Sequence, residues 1–194
     1  MLLVNKPYLG KASRLSMDGA TAASGTWTTV YQWIVGAGLG DDNGWNTYTF
    51  VHTIPLADFS ATGGTRVRLT FTGATAEGFV ANAMYIGNGG GGDAYDFGDT
   101  PVQILMSGGG TITVGAGATG VVTDDVAFVK DGTNPFVLSM QFSDSAHDNL
   151  KRTPTGNDET SYYKQSVSEA ATQNKTAYST NLTSGYIEKI ELLI

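Results

Sequence analysis

The chain has 194 residues, of which 18 are acidic and 11 basic, and its net charge of −7 excludes strong attraction to a phosphate backbone. It contains no cysteine, which excludes disulfide bonds, thiolate metal sites and thiol nucleophiles. With 26 glycines, 41% hydrophobic residues and only 15% charged residues, the composition favours one domain built from strands and tight turns.

Residues 1–25 differ from the rest of the chain, because a short apolar start is followed by basic and then small residues. We interpret this segment as a first strand, with an arm that docks onto another protein as the alternative. The apolar start is too short for a secretion signal, and no stretch approaches the roughly 18 apolar residues of a membrane span. We therefore expect that the protein does not insert into a membrane. We expect it to be released by lysis or inside a particle.

Residues 26–194 show the period-two alternation of half-buried antiparallel strands. The pattern is clearest where Val67, Leu69 and Phe71 alternate with polar residues, and it recurs from Phe136 to Phe142. Glycine-rich turns separate the segments, which is typical of an all-β sandwich or barrel. The predicted strands are 26–35, 46–54, 66–72, 79–86, 102–106, 111–114, 121–129, 136–143, 161–165 and 186–193.

A helix is predicted only at residues 166–175, where Val167, Ala170 and Ala171 fall near one face. The surrounding segment, 143–174, is the most polar in the chain. We expect most of it to be a long surface loop.

The sequence carries no recognisable catalytic pattern. There is no Gly-x-Ser-x-Gly, and Gly92-Asp93 is followed by Ala94 rather than by a serine nucleophile. The two histidines, His52 and His147, lie in a predicted strand and a polar loop. We therefore predict that the chain is not an enzyme, with a carbohydrate-active enzyme that uses an unrecognised carboxylate pair as an alternative.

Acidic side chains cluster in two glycine-rich loops. Oxygen ligands at Asp93, Asp96 and Asp99 would suit a structural calcium ion, although their spacing is not that of an EF-hand. No other cofactor is predicted. The alternative is that these residues only shape the turn.

Aromatic residues beside acidic ones suggest sugar binding, since an aromatic ring stacks on the apolar face of a pyranose while carboxylates accept bonds from its hydroxyls. Three candidate patches follow this pattern; their residues are Trp45 with Asp42, Tyr95 with Asp93, and the pair Tyr162 and Tyr163. The alternative is that these rings close the ends of the sandwich. Trp27, Tyr31 and Trp33 alternate along one strand and are predicted to face the core together.

The middle of the chain resembles a known module. The segments 67–74, 111–117, 121–128 and 135–142, in this order, resemble the jelly-roll module that precedes some SGNH-type esterase domains. Similar modules occur in head-spike and tail-fibre proteins of tailed phages and gene transfer particles. The resemblance implies an antiparallel jelly-roll β-sandwich of about ten strands. Because the sequence lacks a serine nucleophile motif, we expect the module without the hydrolase domain.

These observations together predict a non-catalytic appendage subunit of a virion or phage-like particle, exposed on the particle surface. Its expected partners are host-surface polysaccharide, other particle proteins and further copies of itself, and not nucleic acid. The alternative is a purely structural virion protein, such as a head decoration or fibre connector, without a ligand.

Overall fold

The computed structural model describes residues 24–33, 40–42, 44–143, 147–152, 159–181 and 186–194. Over these residues the chain forms fourteen strands and one short 3₁₀ helix, Leu56–Asp58. The strands are β1 (Trp27–Gln32), β2 (Asp41–Asp42), β3 (Tyr48–Ile54), β4 (Arg66–Phe71), β5 (Phe79–Asn88), β6 (Val102–Gln103), β7 (Ile112–Val114), β8 (Val121–Val122), β9 (Val126–Ala127), β10 (Phe136–Phe142), β11 (Leu150–Lys151), β12 (Thr160–Gln165), β13 (Ser179–Asn181) and β14 (Lys189–Leu193).

The strands form two large antiparallel sheets and a small ribbon. The five-stranded sheet has the order β1-β14-β4-β8, and β9 also pairs with β4. The seven-stranded sheet has the order β13-β12-β3-β10-β5-β6, and β7 also pairs with β5. The ribbon consists of β2 and β11. This arrangement confirms the predicted all-β antiparallel sandwich.

The pairing of the principal strands is nested. The first long strand, β1, pairs with the last, β14, and the next long strand along the chain, β3, pairs with β10. Further inward, β4 pairs with β8 and β9, and β5 pairs with β6 and β7. Such nesting brings residues from distant parts of the chain to the same end of the sandwich.

The inner faces of the two sheets carry the core. Val67, Leu69 and Phe71 are fully buried, as their alternation predicts, and they meet the equally buried Phe136 and Met140 of the opposite sheet. Of the polar residues between the first three, Arg68 is partly exposed and forms an ion pair with Glu191 on the neighbouring strand, with Nε–Oε2 2.9 Å, whereas Thr70 is only 2% exposed.

The outer face of the seven-stranded sheet is also covered. Val137 and Ser139, on the face of β10 that the sequence predicted to be exposed, are fully buried. Phe97 packs over Val137, and the Phe97 amide donates to the carbonyl of Gln173. Two polar segments therefore lie across this face and form a third layer.

The ten predicted strands are all found, and the region 121–129 is divided between β8 and β9. The helix predicted at 166–175 is wrong. The Thr49 hydroxyl binds the carbonyl of Val167 and the amide of Glu169, and Ser166 adopts a left-handed φ of 57°. Tertiary hydrogen bonds hold this segment in an irregular path over the sheet.

One aromatic prediction is also wrong. A register shift between Thr29 and Tyr31 is a β-bulge, which turns successive side chains to different faces. Tyr31 therefore enters the core, whereas the ring of Trp27 lies on the outer face with the Arg68 guanidinium 4.4 Å above it.

Two predictions remain open. The jelly-roll type of the sandwich stays a prediction. The N-terminal segment 1–25 lies outside the described residues except for its last two positions. Within the described ranges, no helix is long and apolar enough to cross a membrane.

Candidate functional site

A cavity opens where the β2–β11 ribbon meets the β13 side of the seven-stranded sheet. It has a volume of about 300 Å³, and we call it the first cavity; its lining residues are Asp42, Gly44, Trp45, Tyr48, Tyr163 and Asn181. Asp42 belongs to the ribbon, Tyr48 begins β3, Tyr163 lies in β12 and Asn181 ends β13. Nested pairing therefore joins two of the predicted patches, because Asp42 and Trp45 of one patch meet Tyr163 of another.

Three aromatic rings form one wall of the first cavity. The centroid of the Trp45 ring is 5.6 Å from that of Tyr48 and 5.6 Å from that of Tyr163, and both contacts are edge-on. Trp45 also packs on Phe50, so only 7% of its surface is exposed. The sequence placed Trp45 in an exposed polar turn, but its ring turns inwards. The half-buried rings of Tyr48 and Tyr163 are the larger accessible surfaces.

Asp42 supplies the carboxylate of the first cavity. Its Oδ2 accepts a hydrogen bond of 2.7 Å from the buried hydroxyl of Tyr186, and its Oδ1 makes no hydrogen bond within the described part of the chain. The neighbouring Asp41 is used differently. Lys151 lies 2.7 Å from Asp41 Oδ1 and the Thr75 amide donates to Oδ2. These contacts leave Asp42 as the acidic group that faces the cavity.

The pKa of Asp41 reflects the bonds that its carboxylate makes within the ribbon and to Thr75. Burial acts to raise the pKa of Asp41, but the bonds from Lys151 and Thr75 outweigh it and lower the pKa below its usual range. The Asp41 carboxylate is thus committed to closing the ribbon against residue 75.

A buried polar network lies behind the first cavity. The ring of Tyr186 packs edge-on against that of His52 at 6.1 Å, and His52 Nε2 lies 3.4 Å from Glu159 Oε2. The Tyr31 hydroxyl, which comes from the other sheet, donates to Glu159 Oε1. Burial, followed by the neighbouring charge of Glu159, raises the pKa of Tyr31. Because His52 exposes none of its surface, it lies behind the cavity wall and does not line the cavity.

The other predicted aromatic residues meet on the outer face of the seven-stranded sheet. The Tyr95 centroid lies 5.2 Å from that of Tyr162 and 5.0 Å from that of Tyr178, and these three residues form what we call the Tyr95 cluster. The Tyr95 hydroxyl donates to Asp93 Oδ2 at 2.9 Å. Desolvation, and then this bond, raises the pKa of Tyr95. The cluster packs on Val51 and fixes the covering segments to the sheet.

The three aspartates predicted to hold calcium have separate partners. Asp96 is 3% exposed, and its two oxygens accept the backbone amides of Asp93 at 2.9 Å and Lys175 at 2.6 Å. Asp99 Oδ2 accepts from the Asn88 side-chain amide at 3.4 Å. Over the described ranges, no group of three or more acidic or histidine side chains could hold a metal ion. The calcium site therefore stays a prediction, and Asp96 acts as a hydrogen-bond acceptor that joins two loops.

Sequence reasoning missed several residues of these sites. Tyr48 could have been found, because it alternates with Phe50 and begins the strand that follows Trp45. Tyr186 and Asn181 carried no such signal. Asn181 lines the first cavity, and Tyr186 donates to Asp42 in its lining, only because β13 and the segment before β14 lie beside elements more than one hundred residues earlier in the chain.

No protein-family model matches the chain, and no curated protein matches it either.

Proposed function

We propose that the chain is a non-catalytic subunit of a virion or phage-like particle appendage that binds host-surface polysaccharide through the first cavity. The observation that carries the proposal is the meeting of two half-buried tyrosine rings with the Asp42 carboxylate around a single open cavity. A sugar ring presents C–H groups that pack on aromatic faces and hydroxyls that donate to carboxylates.

The cavity chemistry favours uncharged sugars. Asp42 is its only charged lining residue in the described part of the chain. An acidic sugar would therefore meet a carboxylate without a compensating cation, in a protein whose net charge is already −7. Neutral hydroxyls, by contrast, can donate to the free Oδ1 of Asp42.

Binding without catalysis fits the surroundings of the cavity. His52 is the nearby side chain best suited to act as a base, but it is fully buried behind Tyr186. Hydrolysis would need an acid and a base within reach of the bound sugar. Incubating the protein with polysaccharide and finding shortened chains would contradict this part of the proposal.

The particle assignment depends on the jelly-roll resemblance. We propose that the sandwich is of jelly-roll type, and the nested pairing supports this, since a jelly roll is an eight-stranded double sheet in which a long antiparallel hairpin is wrapped round. Such a subunit would be exposed on the particle surface after lysis. Its other partners would be particle proteins and further copies of the chain.

A purely structural particle protein remains the second candidate, and one observation favours it. A depression of about 360 Å³ lies at the β6–β9 edge. Its lining is partly apolar, with Val102, Ala127, Phe128 and Val129 beside Thr65, Asp99 and Thr100. Val129 exposes 59% of its surface. An exposed valine beside a partly apolar depression is suited to packing against another protein.

Glycan-array binding by the purified protein tests the preferred function. We expect signals for neutral surface polysaccharides, and we expect them to disappear in Asp42→Ala. Asp93→Ala, which removes the carboxylate that Tyr95 of the Tyr95 cluster donates to, should keep them. An array without any signal would contradict sugar binding and leave the structural role.

A further inference from the structure

A second cavity lies across a single turn from the first, beside the segment that covers the outer face of the seven-stranded sheet. It has a volume of about 200 Å³; its lining includes Thr47, Gln141, Phe142, Ser166, Val167 and Ser168. The turn runs from Trp45 to Tyr48 and is closed by a 3.1 Å bond from the Tyr48 amide to the Trp45 carbonyl. Tyr48 lines the first cavity, and the preceding residue, Thr47, lines the second.

Polar groups on the rim of the second cavity are available to a ligand. Within the described part of the chain, the hydroxyls of Thr47, Ser166 and Ser168 make no hydrogen bond. The Thr49 hydroxyl, by contrast, is occupied by Gln141, with Oγ1–Oε1 2.6 Å, and by the backbone of Val167 and Glu169. The second cavity thus combines a fixed floor with hydroxyl groups at its rim that can donate or accept.

Backbone strain is concentrated at the same place. Thr47 has a φ of 68° and Ser166 a φ of 57°, and the Ser166 amide donates to the Thr47 carbonyl at 2.7 Å. Thr47 is the third residue of the Trp45–Tyr48 turn, and a positive φ at that position usually goes with glycine or asparagine. A β-branched residue with a positive φ is uncommon. The chain therefore keeps two hydroxyl side chains where a glycine would be less strained, which is a feature of functional sites.

We infer that the two cavities are successive subsites for one sugar chain, so that the protein binds an internal stretch of a neutral polysaccharide rather than a single terminal sugar. This inference rests on the proposed function. Each cavity has room for about one sugar ring. Because consecutive residues line the two cavities, a chain bound in both would cross the turn at Thr47. Neither cavity is lined by a lysine or arginine in the described residues, which again favours uncharged sugars.

The test compares sugar fragments of increasing length. Fragments graded from a single sugar upward are prepared from the neutral polysaccharide that gives the strongest array signal, and calorimetry measures their affinity. We expect affinity to rise when the fragment becomes long enough to reach both cavities. Ser168→Ala should weaken binding of the long fragments by about five- to tenfold and so lower the ratio of long-fragment to single-sugar affinity.

Two further variants separate binding from folding. Thr47→Gly should lower the same ratio without lowering the thermal unfolding midpoint, because glycine accepts the left-handed backbone. Thr113→Ala removes an exposed hydroxyl from β7, which lines neither cavity, and should bind every fragment like the wild type. If a single sugar binds as tightly as long fragments, the two-subsite inference is overturned while sugar binding stands. If no fragment binds, the proposed function fails as well.

Discussion

Tyr162 and Tyr163 are neighbours in β12, yet their rings lie on opposite faces of the seven-stranded sheet. Tyr163 packs edge-on against Trp45 and Tyr48 in the wall of the first cavity, whereas Tyr162 packs on Tyr95 in the covering layer. The alternation of side chains along a strand is the cause. The pair therefore offers two matched variants that differ only in the face they alter.

The first prediction uses this pair. Tyr163→Ala should weaken binding of a neutral polysaccharide at least about tenfold, because an aromatic contact and its buried area are lost. Tyr162→Ala should retain wild-type affinity. Surface plasmon resonance on immobilised polysaccharide measures both. The reverse pattern would move the binding site to the Tyr95 cluster.

The second prediction concerns Tyr186, whose hydroxyl positions Asp42. Tyr186→Phe keeps the ring packed on Phe50 but leaves the carboxylate free to rotate. We expect the affinity for polysaccharide to fall about three- to tenfold and the free energy of unfolding to fall by about 1 kcal/mol. Calorimetry and urea titration give the two quantities.

Tyr85→Phe is the matched control, since it removes a tyrosine hydroxyl on the other side of the seven-stranded sheet, next to Val137. Its polysaccharide affinity should equal that of the wild type. Equal losses in both phenylalanine variants would mean that Tyr186 has no special role in positioning Asp42.

The third prediction concerns acid stability and Asp131. Burial acts to raise its pKa, but bonds from the Asn134 side chain and from the amides of Asn134 and Thr133 lower the pKa to about 2. A lowered carboxyl pKa contributes stability above pH 4 that is lost as the pH falls towards 2. Asp131→Ala should cost about 1–2 kcal/mol at pH 7 and less at pH 2, measured by urea unfolding. An equal cost at both pH values would contradict the assignment.

The fourth prediction concerns Lys175, which is 2% exposed and lies 3.8 Å from the Phe97 ring centroid. Burial lowers the pKa of Lys175 to about 8, although Asp96 and Glu169 act in the opposite direction. In the unfolded chain the pKa of Lys175 has its ordinary value of 10.5. Burial of the charged ammonium therefore lowers the free energy of unfolding at every pH below 8, and this cost disappears as the pH rises from 8 to 10.5.

The wild type should therefore gain up to about 3 kcal/mol relative to Lys175→Met between pH 7 and pH 10.5. Unfolding free energies of both proteins at a series of pH values test this. If the free energies of unfolding of the two proteins change in parallel over that pH range, burial of the Lys175 charge does not destabilise the fold.

Much of the fold could be predicted because the alternation of apolar residues is local. Val67, Leu69 and Phe71 face the core as their spacing requires, and the predicted antiparallel sandwich is confirmed. Prediction failed where the third layer covered a sheet face or where a bulge changed the direction of the side chains. Val137 is buried by Phe97 on the face expected to be exposed, and the bulge after Thr29 turns Trp27 away from the core.

The candidate site was predictable only in part. Residue types suggested Asp42, Trp45 and Tyr163, because an aromatic ring beside a carboxylate suits sugar chemistry whatever the fold. Their partners could not be foreseen. Tyr186 and Asn181 meet Asp42 through strand pairing over more than one hundred residues, and no local pattern records such a meeting.

The amino-acid sequence by itself determined the ten predicted strands, the inner faces of those without a bulge and the chemical types of the residues in the turns, because each depends on neighbours within a few positions. Only the tertiary structure decided which turns meet. Nested pairing brought Asp42 of the ribbon to Tyr163 of β12, since the contacts between sheets and loops depend on the path of the whole chain.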